Sequence, residues 1–364
     1  SLWIYRGLVL LVIACPCALV ISTPVSIVSA LTSAAKAGIL IKGGIYLEIA
    51  GRLKAVALDK TGTLTYGRPT VQKIIPLNGH TEEELLQIAL ALEKPSEHPI
   101  AHAILKKAEE KGIFAKHATN FKIHKGLGAE ALVEGKPFWI GSHRFLHDKG
   151  QETEEVHQLA LELEDAGHSV IAIGDYSHVC GLISVADEPR KFIKETLLTI
   201  KELGIHKIVL LTGDNRPTAQ AIAKFCGIET FYAELLPQDK VAYVEKLVAH
   251  YKQVAMIGDG INDAPAMAAA NLGIAMGAMG SDAAFETADL ILMNDDLANI
   301  PRLIRHSRRT LQIIKQNIGF SLGVKTLFLI LAFFGLATLW MAIAADTGAS
   351  LLVVFNGLRL LKFK

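Results

Sequence analysis

The sequence predicts an α/β protein with a doubly wound parallel sheet, an inserted α+β domain and three transmembrane helices. Short apolar runs that end in polar turns alternate with helix-like segments through the middle of the chain, which is typical of a parallel sheet. Apolar residues concentrate at the two ends, and mean hydropathy is +0.35 although the middle is charged. Because 364 residues exceed the usual size of one core, we expect two or three domains.

Composition excludes several classes of function. The net charge is +1 and there is no long basic run, so nothing favours a nucleic-acid partner. The four cysteines are too few and too scattered for a disulfide framework, and Cys180 and Cys226 are expected in the core. The sequence begins with Ser1 inside an apolar segment and has no signal peptide, so we expect a fragment of a longer protein.

The first apolar segment, residues 1–36, is predicted to be a transmembrane helix with a break. Residues 7–35 carry no charge, and about 20 apolar residues suffice to cross a bilayer. Pro16, between Cys15 and Cys17, cannot donate to the Val12 carbonyl, and Pro24 disrupts the bond to Val20 in the same way. Lipid tolerates such a break where it lines a site. The two thiols are soft ligands suited to zinc, cadmium, lead or cuprous ion, so we expect them to bind a metal ion.

The second apolar region, residues 316–364, is predicted to form two further transmembrane helices. Lys325 and Asp346 lie inside it, and ionisable groups within a membrane are usually functional and paired. We expect Asp346 to ligate a cation and Lys325 to be its charge partner, which neutralises Asp346 or competes with the cation for it. Basic residues flank the spans and assign the charged middle to the cytosol. These residues are Lys36, Lys42, Arg52, Lys54, Arg302, Arg305, Arg308, Arg309, Arg359, Lys362 and Lys364.

The most informative motif is DKTGTLT at residues 59–65, which follows a strand-like run at 53–58. A carboxylate at a strand tip suits attack on a phosphoryl group, and the following turn offers N–H groups and hydroxyls to phosphate oxygens. Three more apolar runs lead into turns, at residues 212–214, 258–263 and 276–277. Catalytic groups at the carboxyl ends of strands are what a doubly wound sheet presents.

Residues 59–65 resemble the phosphorylation motif of the P-type ATPases, and the strand pattern resembles the haloacid dehalogenase-like fold. Many phosphatases of that fold carry a second aspartate two residues after the nucleophile, where this chain has Thr61. Since threonine cannot activate water in that way, the phosphoenzyme should persist. Thr61 therefore favours an energy-coupling ATPase over a phosphatase.

The expected roles in phosphoryl transfer follow from side-chain chemistry. Asp59 is the nucleophile, and Asp259 holds Mg²⁺ together with Asp59 and the Thr61 carbonyl. Thr212 and Lys240 contact the oxygens of the transferred phosphate. The remaining members of the catalytic set are Lys60, Gly213, Asp214, Asn262 and Asp263.

An inserted nucleotide-binding domain is predicted over residues 71–178. Residues 96–99 (SEHP) and 126–128 (GLG) match nucleotide-binding features of heavy-metal ATPases. The resemblance implies that His98 contacts adenine and that Gly126 and Gly128 allow close backbone approach to ATP, with Glu93 beside them. A GxGxxG motif and a Walker lysine are both absent, so the site is neither a Rossmann nor a P-loop site.

Lys325 and the Asp346-Thr347-Gly348 string match the zinc, cadmium and lead branch of the heavy-metal P-type ATPases. The resemblance implies ATP-driven, Mg²⁺-dependent export of Zn²⁺, Cd²⁺ or Pb²⁺, in a bacterial inner membrane with cytosolic catalytic domains. A copper(I) pump and a membrane-tethered phosphohydrolase of the same fold are the alternatives. No Thr-Gly-Glu actuator loop is found, so transport is expected to need an actuator domain and N-terminal spans from a longer protein.

The predicted domains and the histidines outside the motifs complete the sequence-based expectations. The domains are a transmembrane helix with the Cys-Pro-Cys site (1–36), a phosphorylation domain (37–70 and 179–300), the nucleotide-binding domain (71–178), a cytosolic linker helix (301–315) and two transmembrane helices (316–364). The remaining histidines have no metal-ligand spacing and are expected on the solvated surface. They include His80, His102, His117, His124, His143 and His147.

Overall fold

The computed structural model describes residues 2–96, 98–124, 127–259, 263–277 and 286–363. The chain divides into two compact units. The first unit comprises Ser1–Ala57, Glu195–Ile208 and Pro237–Lys364, and the second comprises Leu58–Lys194 and Val209–Leu236. The domain boundaries that we predict from the sequence differ from this division and stay a prediction.

The helices follow the apolar periodicity of the sequence and begin at capping residues such as Thr81, whose side chain and that of Glu84 form a capping box. They are α1 (Leu2–Ala14), α2 (Cys17–Lys36), α3 (Gly44–Arg52), α4 (Glu82–Glu93), α5 (Pro99–Glu110), α6 (His143–Asp148), α7 (Glu154–Asp165), α8 (Ile193–Glu202), α9 (Arg216–Cys226), α10 (Pro237–Tyr251), α11 (Ala264–Ala269), α12 (Asn299–Phe333) and α13 (Leu339–Leu358).

The strands belong to two sheets. They are β1 (Ile39–Ile41), β2 (Ala55–Asp59), β3 (Thr65–Pro76), β4 (Ala118–His124), β5 (Gly128–Val133), β6 (Lys136–Ser142), β7 (Ser169–Gly174), β8 (Val179–Pro189), β9 (Lys207–Leu211), β10 (Thr230–Tyr232), β11 (Val254–Gly258), β12 (Leu272–Met276) and β13 (Leu290–Leu292). One sheet has seven strands in the order β1-β13-β12-β11-β2-β9-β10, and the other has six in the order β3-β8-β7-β6-β5-β4.

In the first unit, β11, β12 and β13 are parallel neighbours, and β1 joins β13 in the antiparallel direction. Every residue of β11 and β12 is buried, as expected for parallel strands that are covered on both faces. Helix α3 packs closely on α12, because a Cβ atom at Gly51 would lie only 3.0 Å from the Leu311 side chain. The parallel sheet predicted from the sequence is thus present.

Among the described residues, three helical segments are long and apolar enough to cross a membrane: Gly7–Lys36, Asn299–Phe333 and Leu339–Leu361. The first is interrupted between α1 and α2 at Cys15 and Pro16, whereas Pro24 lies within α2 without ending it. The predicted linker helix and the span that follows it form one continuous helix, α12, of 35 residues. At 1.5 Å per residue this helix is about 52 Å long, which exceeds the roughly 30 Å hydrocarbon core.

In the second unit, the six-stranded antiparallel sheet carries a core on each face. Alternate residues of β7 point to opposite faces, so Ile171 and Ile173 pack with α4 and α5, whereas Val170 and Ala172 pack with α6 and α7. The sheet includes all of β3 and β8 and therefore extends beyond residues 71–178 at both ends. The same unit contains the parallel pairing of β10 with β9 at Thr230–Tyr232.

Candidate active site and ion site

Asp59 is the last residue of β2, and all five residues of this strand are buried. The chain turns sharply over Lys60–Leu64, where Gly62 adopts a left-handed conformation with φ of +71°. Glycine adopts that conformation without the strain that a side chain would add. The carboxylate therefore stands at a strand tip that is followed by a tight turn, as the sequence indicates.

Two charged residues that sequence reasoning missed hold this turn from the end of β8. The Arg190 guanidinium donates to the carbonyl oxygens of Gly62 (2.7 Å) and Thr63 (2.9 Å). The Asp187 carboxylate accepts hydrogen bonds from the Thr65 hydroxyl and from the backbone N–H of Gly67 at 3.1 Å. The sequence offered one indication of these residues. The string DEPR at residues 187–190 places opposite charges directly after an apolar run.

Lys60 forms an ion pair with Asp214, so the second unit brings two residues of the predicted catalytic set together. The Asp214 N–H donates to the Thr212 hydroxyl at 3.1 Å, and the Thr212 N–H donates to the Tyr232 carbonyl at 3.0 Å. These bonds fix the turn after β9 that contains Gly213. A cavity of about 300 Å³ adjoins the ion pair. Its lining includes Lys60, Thr61, Asp187, Asp214, Asn215 and Thr218.

In the first unit, the Lys240 ammonium lies 2.7 Å from the Asp263 carboxylate, and both side chains are buried. Burial raises the pKa of Asp263, and the Lys240 ammonium partly offsets this effect. A Cβ atom at Gly258, the last residue of β11, would lie 2.5 Å from the Asp263 carboxylate, so only glycine fits before Asp259. Asn262 lies outside the described residues.

The second unit contains a cavity of about 600 Å³, which is within the usual range for a small-molecule site. Glu93, His98 and Gly128 line it, whereas Gly126 lies outside the described residues. Burial raises the pKa of Glu93, and a hydrogen bond with Ser96 opposes this shift. Three of the four residues predicted to bind nucleotide therefore face one cavity.

His98 and Gly128 also have structural roles at this cavity. The Nδ1 atom of His98 accepts a hydrogen bond from the Ile100 N–H at 3.3 Å and caps the start of α5. A Cβ atom at Gly128 would lie 2.1 Å from the Ile140 carbonyl oxygen, so the pairing of β5 with β6 requires glycine there. The two residues thus shape the cavity wall as well as face it.

Two apolar side chains that sequence reasoning did not single out, Phe121 and Ile123, line the same cavity. Both are exposed residues of β4. In the sequence, they could have been recognised as two apolar residues that alternate with polar residues, Asn120, Lys122 and His124. An apolar wall with a few polar groups suits a flat heteroaromatic ring.

In the membrane part, the break after α1 brings the predicted metal ligands together. The Cys15 and Cys17 sulfur atoms lie 2.8 Å apart, and the Cys17 thiol lies close to the Asp346 carboxylate. Because Pro16 has no N–H, the Val12 carbonyl accepts from the Cys15 N–H instead, at 3.2 Å. The helix interruption therefore places two thiols and a carboxylate at one point.

Lys325 contacts the same break from α12. Its ammonium donates to the carbonyl oxygens of Ile13 (3.2 Å) and Cys15, near the end of α1. Among the ion pairs of the described residues, none joins Lys325 to Asp346, although both line one cavity of about 20 Å³. A cavity of this volume is large enough for a single water-sized species.

The expectation that His80, His124 and His143 lie on the solvated surface is wrong. Their side chains are only 22%, 26% and 16% exposed. His80 stacks on His178, and His143 contacts two glutamates. These partners lie far away in the sequence or at irregular spacing, so no periodic pattern indicated them.

Comparisons with known proteins agree with this architecture. The model of the haloacid dehalogenase-like hydrolases matches residues 53–271, which is more than half of the chain. A probable cadmium-transporting ATPase of Alkalihalophilus pseudofirmus is 48% identical over the whole chain, which covers 51% of that relative. A zinc/cadmium/lead-transporting P-type ATPase of Escherichia coli is 46% identical, with 99% of this chain and 48% of the relative covered. The chain thus spans about half the length of these curated relatives.

Solved structures lead to the same family. The crystal structure of a zinc-transporting PIB-type ATPase in the E2.Pi state matches with a TM-score of 0.90 and 45% identity, covering 99% of this chain and 58% of that one. The catalytic domain of the CPx-ATPase CopB-B matches with a TM-score of 0.53 and 30% identity, covering 74% of this chain and 97% of that one. The haloacid dehalogenase-like fold predicted from the sequence is confirmed. The chain belongs to the haloacid dehalogenase-like hydrolases and, within them, to the heavy-metal P-type ATPases.

Proposed function

We propose that this chain is the catalytic portion of an ATP-driven exporter of Zn²⁺, Cd²⁺ or Pb²⁺ that works through an aspartyl phosphate. The observation that carries the proposal is the position of Asp59, at the tip of a buried strand and before a turn that Arg190 and Asp187 hold in place. The relatives described as cadmium-transporting or zinc/cadmium/lead-transporting ATPases support the same reaction and cargo.

In the proposed reaction, a carboxylate oxygen of Asp59 attacks the γ-phosphorus of ATP, and ADP leaves with the electrons of the broken P–O bond. Thr212 and Lys240 contact oxygens of the transferred group, and the ion pair with Asp263 holds the Lys240 ammonium in one position. Gly213 allows the backbone of the adjacent turn to approach the phosphate. The ion pair with Asp214 positions Lys60 beside the nucleophile.

The proposed Mg²⁺ ligands are the carboxylates of Asp59 and Asp259 and the carbonyl oxygen of Thr61. This all-oxygen donor set fits a hard divalent cation. When bound, Mg²⁺ would neutralise charge on the phosphate oxygens. Asn262 and Asp263 are proposed to complete the surroundings, and one Asp263 carboxylate oxygen is buried without a hydrogen-bond partner among the described residues.

We assign ATP binding to the 600 Å³ cavity of the second unit. His98 supplies an aromatic face for adenine, with Phe121 and Ile123 as an apolar wall. Glu93 and Gly128 line the same cavity, and Gly126 is proposed to contribute backbone contacts. Nucleotide affinity and phosphoryl chemistry therefore use different residues of the chain.

The proposed cargo site consists of the Cys15 and Cys17 thiolates and the Asp346 carboxylate. Their three negative charges match a divalent cation together with the ammonium of Lys325. Two thiolates about 2.3 Å from a tetrahedral ion lie about 3.8 Å apart, so the sulfur atoms would separate by about 1 Å from their present 2.8 Å. A carboxylate favours divalent ions over copper(I), which is the reason to prefer this cargo to the copper alternative.

We place the protein in a bacterial inner membrane with its catalytic units in the cytosol, on the strength of three candidate spans and their basic flanks. Its partners are then ATP, the metal ion and the lipid bilayer. Completion of the transport cycle is proposed to need an actuator domain and further spans, because the chain spans about half the length of its relatives. Thr61 argues against the phosphohydrolase alternative.

The cargo assignment is tested by metal-stimulated ATPase activity, in membrane vesicles, of a full-length protein that contains this chain with the actuator domain and the further spans. We expect stimulation by Zn²⁺, Cd²⁺ or Pb²⁺ that is lost in Asp346→Ala. Zn²⁺ stimulation that survives in Asp346→Ala, or stimulation of the unmodified protein by Cu⁺ alone, contradicts the proposal.

A further inference from the structure

Three imidazole rings converge on the Glu152 carboxylate in the second unit, away from the residues assigned to phosphate and nucleotide. His143 Nε2 and His157 Nδ1 lie 2.5 and 2.8 Å from one carboxylate oxygen of Glu152. His147 Nδ1 lies 3.0 Å from the other oxygen. The ligand atoms of His143, Glu152 and His157 all lie within 4.8 Å of one another. We propose that this cluster binds a divalent metal ion of the zinc class.

The donor set favours a metal over a purely ionic cluster. Imidazole nitrogen and carboxylate oxygen are common zinc ligands, so His143, Glu152 and His157 supply three donors. His147, on the other Glu152 oxygen, would have to move closer to act as a fourth. The rings of His143 and His157 have their centroids 5.2 Å apart. Each neutral imidazole can give a ring-nitrogen lone pair to a divalent ion, which an ionic cluster leaves unused.

The surroundings of His143 match those of a metal-ligating histidine. Its second ring nitrogen, Nδ1, lies 3.1 Å from the Glu164 carboxylate on α7. A carboxylate on the far nitrogen fixes the ring orientation and the tautomer of a ligating histidine. The side chains of His143 and Glu152 are 16% and 12% exposed, whereas those of His157 and His147 are 40% and 79% exposed. The site thus has two buried ligands, His143 and Glu152, with the His143 ring held in one orientation, and an open side through which an ion can enter.

Only a small rearrangement is needed to accommodate an ion. Ligands about 2.0–2.1 Å from a tetrahedral zinc ion lie about 3.3 Å apart, compared with 2.5 and 2.8 Å between the nitrogen and oxygen atoms here. The required separation is therefore less than 1 Å. His157 lies at the open side and can move outward by its share, whereas the His143–Glu152 distance must lengthen within the buried part of the site.

A second cluster, His80 with His178 and Cys180, is a weaker candidate. The two rings stack, and their Nε2 atoms lie 3.1 Å apart. The Cys180 thiol, however, is completely buried, and burial raises its pKa to about 12. Because the thiolate is the form that binds metal, this cluster lacks a ready third ligand. It provides a useful comparison for the test.

The proposal does not depend on the cargo assignment, and the test removes the cargo ligands first. The chain is purified in detergent with Cys15→Ser, Cys17→Ser and Asp346→Ala, and zinc retention is measured by equilibrium dialysis against Zn²⁺ alone. We expect one bound ion per chain. His143→Gln and His157→Gln should each weaken its binding by at least tenfold, and Glu164→Gln by roughly 10- to 100-fold through loss of ring orientation.

Two matched controls replace histidines of the same unit: His102→Gln on the exposed side of α5, and His80→Gln in the comparison cluster. Both should retain the ion. Circular dichroism identifies variants that fail to fold. The visible absorption spectrum of Co²⁺ bound in place of Zn²⁺ gives a second measurement, and this spectrum should change in His157→Gln. Any of three results overturns the proposal. The chain that lacks only the cargo ligands binds no zinc, a folded His143→Gln/His157→Gln variant binds zinc as well as that chain does, or His80→Gln loses the bound ion.

Discussion

Substitutions of His98 can distinguish a structural role of this residue from a role in nucleotide binding. Its ring lines the cavity, and the Nδ1 atom of the same ring caps α5 through the Ile100 N–H. His98→Ala removes both features. His98→Asn removes the ring but keeps a side-chain acceptor, since asparagine is among the best N-cap residues.

The expected magnitudes follow from these two roles. Stacking of a base on an aromatic ring contributes about 1–3 kcal/mol, so loss of the ring should weaken nucleotide binding by roughly 5- to 150-fold. Loss of an N-cap costs about 0.5–2 kcal/mol, and the long 3.3 Å bond at His98 favours the lower end. For a unit of this size, 1 kcal/mol corresponds to a Tm change of roughly 2–4 °C.

The assay is titration calorimetry of the purified chain with a non-hydrolysable ATP analogue, combined with thermal unfolding. Both His98 variants should bind nucleotide more weakly to a similar extent, whereas only His98→Ala should unfold at a lower temperature. His102→Ala, on an exposed position of α5, is the matched control for the removal of an imidazole. If His98→Asn binds nucleotide with the Kd of the unmodified chain, His98 only caps α5 and does not contact the nucleotide.

Three further predictions test other parts of the account. Arg190→Met should slow phosphorylation in rapid-quench experiments by roughly 10- to 100-fold with unchanged nucleotide affinity, because the turn after Asp59 loses two hydrogen bonds; an unchanged rate would contradict this. Glu93→Gln should raise Tm at pH 7 but not at pH 4. Burial raises the pKa of Glu93 in the folded state, so ionisation of Glu93 destabilises the fold only when the pH is above the pKa of Glu93 in the unfolded chain. An equal gain in Tm at both pH values would exclude ionisation of Glu93 as the cause. Gly128→Ala should lower Tm by several degrees, because its Cβ atom meets the Ile140 carbonyl, and an unchanged Tm would show that β5 and β6 can separate.

Features that depend on neighbouring residues could be predicted from the sequence. The strand before Asp59, the buried strands β11 and β12 and the break at Pro16 follow from apolar runs and from the missing N–H of proline. The junction between residues 315 and 316 was harder to interpret. The sequence changes there from charged to apolar without a proline or a capping residue, so the helix continues as α12 and only its environment changes.

Features that depend on contacts between distant residues could not be predicted. Arg190 reaches the Gly62 carbonyl across 128 positions, and nothing local to either residue indicates the bond. The cluster around Glu152 combines His143 and His157 at irregular spacing, which no helix or strand period produces. Lys325 was expected to pair with a carboxylate, whereas its ammonium contacts carbonyls that the Pro16 break makes available. Such contacts need the fold before they can be recognised.

Phosphorylation of Asp59 directly tests the proposal that the chain works through an aspartyl phosphate. Membranes from cells that express the protein are incubated with [γ-³²P]ATP, Mg²⁺ and Zn²⁺, then quenched in acid. We expect an acid-stable label that hydroxylamine removes, as is typical of an acyl phosphate, and that is absent from Asp59→Asn. A hydroxylamine-sensitive label of undiminished intensity in Asp59→Asn would contradict it.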